Sequence, residues 1–131
     1  MAKTRILFIE DEPFYQRMYG DVLERAGYEV KYVSEGTEAL KVFKKDFFAT
    51  VIVDLIMPIM SGISFLKKLR QIKKKTRSVI LVLTTLEGAS DRQDAMNAGA
   101  DGFYSKSETS PQKLLRVIQQ TETNERSVKT T

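Results

Sequence analysis

The run from Thr50 to Gly62, TVIVDLIMPIMSG, begins as a buried strand and changes character at one residue. Thr50 to Val53 are all β-branched and form part of a continuous apolar stretch, the pattern of a strand covered on both faces of a parallel sheet. Asp54 then sets a carboxylate among Leu55, Ile56, Met57 and Pro58. A charge in so apolar a setting is costly unless something pairs with it. The strand points to the fold, and the carboxylate raises the question of function.

Working outward, comparable runs recur along the chain. They are RILFI (5–9), EVKYV (29–33), TVIVDL (50–55), SVILVL (78–83) and GFYS (102–105). Helical spacing with start and stop signals fills the intervals. A first helix opens at Pro13, a favoured first-turn residue, carries Phe14, Met18 and Val22, and stops near Gly27. A second runs from about Glu35 to Lys45 with Ala39, Leu40 and Phe43 facing in. A third is capped by Ser61 and carries Phe65, Leu66 and Leu69. A fourth follows Gly88, carries Ala95, Met96 and Ala98, and ends at Gly99. A fifth begins at Ser110–Pro111 and carries Leu114, Val117 and Ile118. Strictly alternating β and α implies an α/β fold, a doubly wound five-stranded parallel sheet with five helices. The chain turns polar from about Gln119, so residues 1–122 read as the domain and 123–131 as a polar, frayed tail.

Composition narrows the chemistry. A length of 131 residues fits one domain with a core of its own. There is no histidine and no cysteine, which excludes Ser–His–Asp catalysis, His-ligated zinc, thiol chemistry and disulfides. The lack of cysteine suits a cytoplasmic location. The N-terminus lacks the apolar core of a secretory signal, and no run approaches the roughly 20 apolar residues of a membrane span. The formal charge of +4 is concentrated in KKLRQIKKKTR (67–77). That run has no interleaved aromatics and is read as a solvated helix face, so direct nucleic-acid binding is not expected.

In open parallel sheets, ligands sit outside the carboxyl ends of the strands. The residues expected there are Glu10, Asp11 and Glu12 after the first strand and Asp54 on the third. The fourth strand brings Thr84 and Thr85, and the fifth Ser105 and Lys106. Clustered carboxylates repel and raise one another's pKa unless a cation neutralises them. With oxygen donors only, the suitable cation is hard, magnesium before others. An aspartate can be a nucleophile that forms an aspartyl phosphate, and a hydroxyl and an ammonium nearby would stabilise the phosphoryl oxygens. Glu12 alone is better explained as a helix-capping acid.

The segments FIEDE (8–12), DLIMPIMSG (54–62), VLTT (82–85) and NAGADGFYSK (97–106), in this order, resemble the receiver domain of bacterial two-component response regulators, of the chemotaxis-regulator kind. The resemblance covers about Arg5 to Gln120. It implies the flavodoxin-like strand order 2-1-3-4-5, with Asp54 as phosphoacceptor. It further implies Mg2+ held by Asp11, by Asp54, by Glu10 acting mostly through water, and by the backbone carbonyl of Ile56. Thr84 corresponds to the switch hydroxyl, Lys106 to the lysine that pairs with the phosphoryl group, and Phe103 to the switch aromatic.

Three positions depart from the family pattern. Ser107 stands where proline usually follows the lysine; a cis bond there would cost about 3–4 kcal/mol, so a trans loop lying differently around Lys106 is expected. Thr85 is bulkier than the usual small residue and would narrow access to the phosphoryl group. Ile56 and Leu86 are apolar where polar groups can orient a hydrolytic water, so slow autodephosphorylation is expected.

With no histidine of its own, the chain needs a donor: a sensor histidine kinase or a histidine phosphotransfer protein, as in a phosphorelay, with small acyl phosphates as substitutes. The responding surface implied by the resemblance spans roughly 87–98, 102–105 and 111–120. It would serve a downstream protein partner or an appended effector domain, with a phosphorylation-dependent dimer left open. The chain is read as a phosphoacceptor rather than an enzyme, and as a stand-alone receiver. The alternatives are the receiver fragment of a longer DNA-binding regulator and a pseudo-receiver that is never phosphorylated. An aspartyl hydrolase would want a second acid where Ile56 stands. A flavin or nucleotide binder would want a glycine- or hydroxyl-rich loop where EDEP (10–13) stands.

Overall fold

Each of the five apolar runs forms a strand, and all four strand pairings are parallel. The computed structural model describes the backbone of residues 3–73 and 77–130, and the side chains of 3–72 and 77–122. The elements are β1 (Arg5–Ile9), α1 (Pro13–Arg25), β2 (Glu29–Val33), α2 (Gly36–Lys45), β3 (Thr50–Val53), α3 (Gly62–Lys73), β4 (Val79–Thr84), α4 (Ala89–Ala98), β5 (Gly102–Ser105) and α5 (Pro111–Thr130). The sheet order is β2-β1-β3-β4-β5, as expected. The chain steps outward from β1 to β2 and then back past β1 to β3. Right-handed crossovers therefore place α1 and α2 on opposite faces and open a crevice at the carboxyl ends of β1 and β3.

Two apolar layers result. Ile6, Phe8, Ile52, Leu81 and Leu83 face Tyr19, Leu23, Leu114 and Ile118 of α1 and α5. Leu7, Ile9, Val51, Val53 and Val82 face Phe43, Phe65, Leu69 and Ala95 of α2, α3 and α4. All four residues of β3 are buried, as the unbroken run requires. The capping signals at α3 and α5 also operate. Ser61 Oγ accepts the Ser64 N–H and Ser110 Oγ the Lys113 N–H, both at 3.1 Å.

Several expectations are corrected. β3 ends at Val53, so Asp54 is the first residue past the strand, and β4 (Val79–Thr84) lies one residue later at both ends than the run 78–83. The inward face of α1 is not Phe14, Met18 and Val22. Phe14 is 64% exposed, Met18 and Val22 are half-buried, and Tyr19 and Leu23 are buried with Tyr15 packed on the same layer. Glu12 occupies the N-cap position of α1, but its side chain makes no capping hydrogen bond. α5 is helical to Thr130, so the expected division at 122–123 falls within it; side chains beyond Glu122 lie outside the described residues. Within the basic run, Lys67, Lys68, Arg70 and Arg77 are exposed as expected, whereas 73–76 lie outside the described side chains.

The Asp54–Gly62 connection is tightly folded. A Cβ on Gly62 would lie 2.4 Å from the Leu55 Cα, so only glycine lets α3 start this close to the end of β3. Ile59 holds a left-handed backbone, φ 72°, and is 84% exposed. That is a strained state for a β-branched residue, at a cost of order 1–3 kcal/mol. No helix among the described residues is long and apolar enough to cross a membrane.

Candidate functional site

The backbone ladder carries the site residues past the strand ends in register. Glu10 N–H donates to Val33 O at 2.9 Å, Asp54 N–H to Ile9 O at 3.4 Å, and Lys106 N–H to Thr84 O at 2.8 Å. Three side chains from three strands meet there. Lys106 Nζ donates to Glu10 Oε1 at 2.6 Å and to Asp54 Oδ2 at 2.8 Å. All three residues are buried, Glu10 to 1% exposure. The remaining carboxylate oxygens are also used: Glu10 Oε2 accepts the Glu12 N–H at 3.1 Å, and Asp54 Oδ1 accepts the Ile56 N–H at 3.0 Å. The carboxylate of Asp54 is thus gripped at both oxygens before any ligand arrives.

Burial shapes the titration of this cluster. Desolvation pushes the Glu10 pKa above the usual carboxylate value, and the hydrogen bond from Lys106 offsets this only in part. For Lys106, desolvation works against the charged ammonium. The hydrogen bonds to Asp54 and Glu10 and the attraction of their charges together outweigh it, and its pKa stands above the ordinary lysine value. The surroundings thus favour the charge on Lys106, whereas burial works against the charge on Glu10.

The cluster opens into a cleft of about 390 Å³, lined among others by Asp11, Asp54, Ile56, Thr85 and Lys106. Asp11 lies exposed in its wall, Thr85 is exposed at the position expected to narrow it, and Ile56 is 53% exposed beside Asp54. Oxygen donors on Glu10, Asp11 and Asp54 along one cleft fit a hard divalent cation in kind. Among the described residues, however, no three acidic side chains converge around one point. Lys106 itself stands as the cation between Glu10 and Asp54. The direct bond between Glu10 and Lys106 is an additional contact that the sequence reading did not include.

Thr84 meets the cluster through its backbone, whose carbonyl accepts the Lys106 N–H, and its hydroxyl is engaged elsewhere. Thr84 is fully buried at the end of β4, and its Oγ1 accepts the Leu86 N–H at 3.4 Å, a long bond. Phe103 is turned into the core. It borders a second cavity of about 380 Å³, lined also by Glu87, Arg92, Ser105 and Glu108, and Arg92 Nη1 donates to the Phe103 carbonyl at 3.3 Å. Leu86 packs against the core rather than reaching the cleft.

The loop after Lys106 contains no cis peptide bond, in keeping with Ser107 in place of proline. Ser107 Oγ donates to the Glu87 carboxylate, joining the loop after β5 to the loop after β4. Two residues at the site were missed from sequence. Tyr15 lies with its ring 3.9 Å from Lys106 Nζ, and Tyr19 donates its hydroxyl to Thr109 O at 2.6 Å. The signal was present as two tyrosines at i, i+4, but the neighbouring Phe14–Met18–Val22 stripe was more apolar.

Comparison with known proteins identifies the family and agrees with the fold. The response regulator receiver domain pattern matches residues 6–119. The chain is 36% identical over 106 residues to the probable transcriptional regulator ycf27 of Porphyridium aerugineum, covering 81% of this chain and 43% of that protein. It thus spans less than half the length of this curated relative. Among solved structures it resembles the chemotaxis response regulator CheY4 of Vibrio cholerae, with TM-score 0.82 and 32% identity over 91% of this chain and 98% of that one. It also resembles the receiver domain of sensor histidine kinase PA1611 from Pseudomonas aeruginosa PAO1, which carries a magnesium ion in its active-site cleft. There the TM-score is 0.81 and the identity 26%, over 91% of this chain and 97% of that one.

Proposed function

The chain belongs to the response regulator receiver domain family, and on that premise we propose that it is a phosphorylation switch in which Asp54 accepts a phosphoryl group. The observation that carries the reading is the buried Glu10–Lys106–Asp54 cluster at the mouth of a cleft. A carboxylate suited to act as nucleophile lies there beside an ammonium, at the sheet's carboxyl edge.

The donor is a phosphohistidine on a sensor histidine kinase or a histidine phosphotransfer protein. An oxygen of Asp54 attacks phosphorus, and the phosphorus–nitrogen bond breaks with its electron pair returning to the donor imidazole. The product is an acyl phosphate. The Ile56 N–H and Lys106 Nζ fix the plane of the attacking carboxylate, which saves orientational entropy. Lys106 stays beside the new phosphoryl oxygens and offsets their charge. Glu10, Asp11, Asp54 and the Ile56 carbonyl would hold Mg2+. Its contribution when bound is to neutralise charge on the transferring phosphoryl group. The magnesium ion in the active-site cleft of the PA1611 receiver domain supports a magnesium site in this cleft.

Thr84 has only a long bond to give up in turning its hydroxyl toward the phosphoryl group. Its carbonyl already holds the Lys106 N–H. A shift at Thr84 therefore reaches the β4–α4 loop, and Phe103 on β5 borders the adjoining cavity. This is a local electrostatic event biasing a two-state surface made of α4, β5 and α5. That surface serves a protein partner or an effector domain, in the cytoplasm where kinases can reach the site. Neither Ile56 nor Leu86 offers a polar group to orient a hydrolytic water, so the phosphorylated state is long-lived.

Incubation with magnesium and acetyl phosphate tests the reading. Intact-mass analysis is expected to show one added phosphoryl group, absent from Asp54→Asn. No added mass together with no magnesium binding would identify a pseudo-receiver instead.

A further inference from the structure

Helix α1 touches Lys106 at both ends. The ammonium has three donors. Two serve Glu10 and Asp54, and the ring of Tyr15 covers the nitrogen at 3.9 Å from its centroid. One helical turn later, Tyr19 is fully buried, its ring 6.4 Å from that of Tyr15 and stacked on it. Its hydroxyl donates to Thr109 O at 2.6 Å and lies 3.4 Å from Lys106 O. The pair thus reaches the nitrogen tip of the lysine and the backbone of the loop that carries it. That loop has Ser107 rather than a proline, whose ring would have fixed one backbone angle from within. Besides its internal Glu108 N–H to Ser105 O bond, the loop is held from outside by the Tyr19 hydroxyl.

We propose that Tyr15 and Tyr19 are positioning residues for Lys106, Tyr19 anchoring its loop and Tyr15 aiming its ammonium into the cleft. The contact with Tyr15 has a property the other two lack. In the phosphoacceptor reading, on which this consequence rests, Asp54 becomes an acyl phosphate and Glu10 acquires a metal partner. Both carboxylate contacts therefore change during the cycle. The face of a neutral ring does not change, and it attracts a cation most strongly where water is excluded. Tyr15 is accordingly the contact that keeps the ammonium in place while its anionic partners are exchanged. Tyr15 is only half-buried, so replacing it is compatible with folding.

Two readouts test this on the full chain. The first is independent of phosphorylation: the ring current of Tyr15 shifts the Lys106 ε-methylene protons upfield. NMR is expected to show that shift in the wild type and in Tyr15→Phe, its loss in Tyr15→Leu, and its reduction in Tyr19→Phe, where only the hydroxyl is removed. The second is the affinity for beryllofluoride with magnesium, expected to weaken about fivefold in Tyr15→Leu, to be restored by Tyr15→Phe, and to weaken in Tyr19→Phe. An unshifted Lys106 in the wild type, or equal beryllofluoride affinity in wild type and Tyr15→Leu, would overturn the role of Tyr15. Tyr19→Phe matching the wild type in both readouts would overturn that of Tyr19. A wild type that shows the shifted lysine but binds no beryllofluoride would support the placement of Lys106 and count against the phosphoacceptor reading.

Discussion

Lys106 Nζ and Asp54 Oδ2 lie 2.8 Å apart across 52 residues of chain, in a cluster that Glu10 completes at 2.6 Å. The charges are nearly sealed from water, with side-chain exposures of 4% for Lys106, 7% for Asp54 and 1% for Glu10. Removing the lysine would leave two buried carboxylates facing each other. Lys106→Met is therefore expected to destabilise the protein by about 3 kcal/mol, measured by urea unfolding near neutral pH.

The same cluster predicts an alkaline limit. The folded pKa of Lys106 is raised above the ordinary value of 10.5. The native state therefore holds this proton more tightly than the unfolded chain does. Its stabilising contribution is fully present below that value and is lost as pH rises toward the folded pKa. The stability gap between wild type and Lys106→Met should narrow above pH 10.5; a gap that widened there would contradict the sign.

Glu10 works in the opposite sense. Its pKa is raised from 4.5 chiefly by burial, so the native state binds its proton more readily than the unfolded chain. Its ionisation costs stability as pH rises from that value through the folded pKa. Glu10→Gln should reduce the fall in stability across this acidic window, read from urea midpoints at a series of pH values.

The lifetime of the phosphorylated state depends on which side chains can hold a water. Ile56 borders the cleft half-exposed, and Leu86 is packed on the core. Loss of label in magnesium buffer is expected over minutes or longer, shortened severalfold by Ile56→Asn. A wild-type half-life of seconds would contradict the account.

Gly62 predicts a steric effect. A Cβ there meets the Leu55 backbone at 2.4 Å, and the neighbour is main chain that cannot swing aside. Gly62→Ala is expected to lower stability by about 1–3 kcal/mol and to disturb magnesium-dependent phosphorylation, because the displaced loop also carries Ile56.

Much of this was legible in the sequence, for definite reasons. Strands buried on both faces read as unbroken apolar runs, so β3 and β4 stood out, and a parallel sheet puts their ends on one edge. Asp54, Lys106 and Glu10 were accordingly found before their contacts were known. The direct Glu10–Lys106 bond was not legible, since spacing shows which edge a side chain occupies and not which neighbour it meets. The inward face of α1 was misread because two adjacent stripes compete there. Phe14–Met18–Val22 is the more apolar. Tyr15–Tyr19–Leu23 is nevertheless the buried one, since the Tyr19 hydroxyl finds the Thr109 carbonyl. The left-handed backbone of Ile59 had no signal at all, since a β-branched residue argues against it.

The central claim is that Asp54, and no other carboxylate of the cleft, takes the phosphoryl group. Borohydride reduction after phosphorylation by acetyl phosphate and magnesium tests it most directly, because it converts an aspartyl phosphate to homoserine. Peptide sequencing by mass spectrometry is expected to place homoserine at position 54 alone, with Glu10 and Asp11 unchanged. A reduced residue at either of those positions, or none at 54 in phosphorylated protein, would contradict the account.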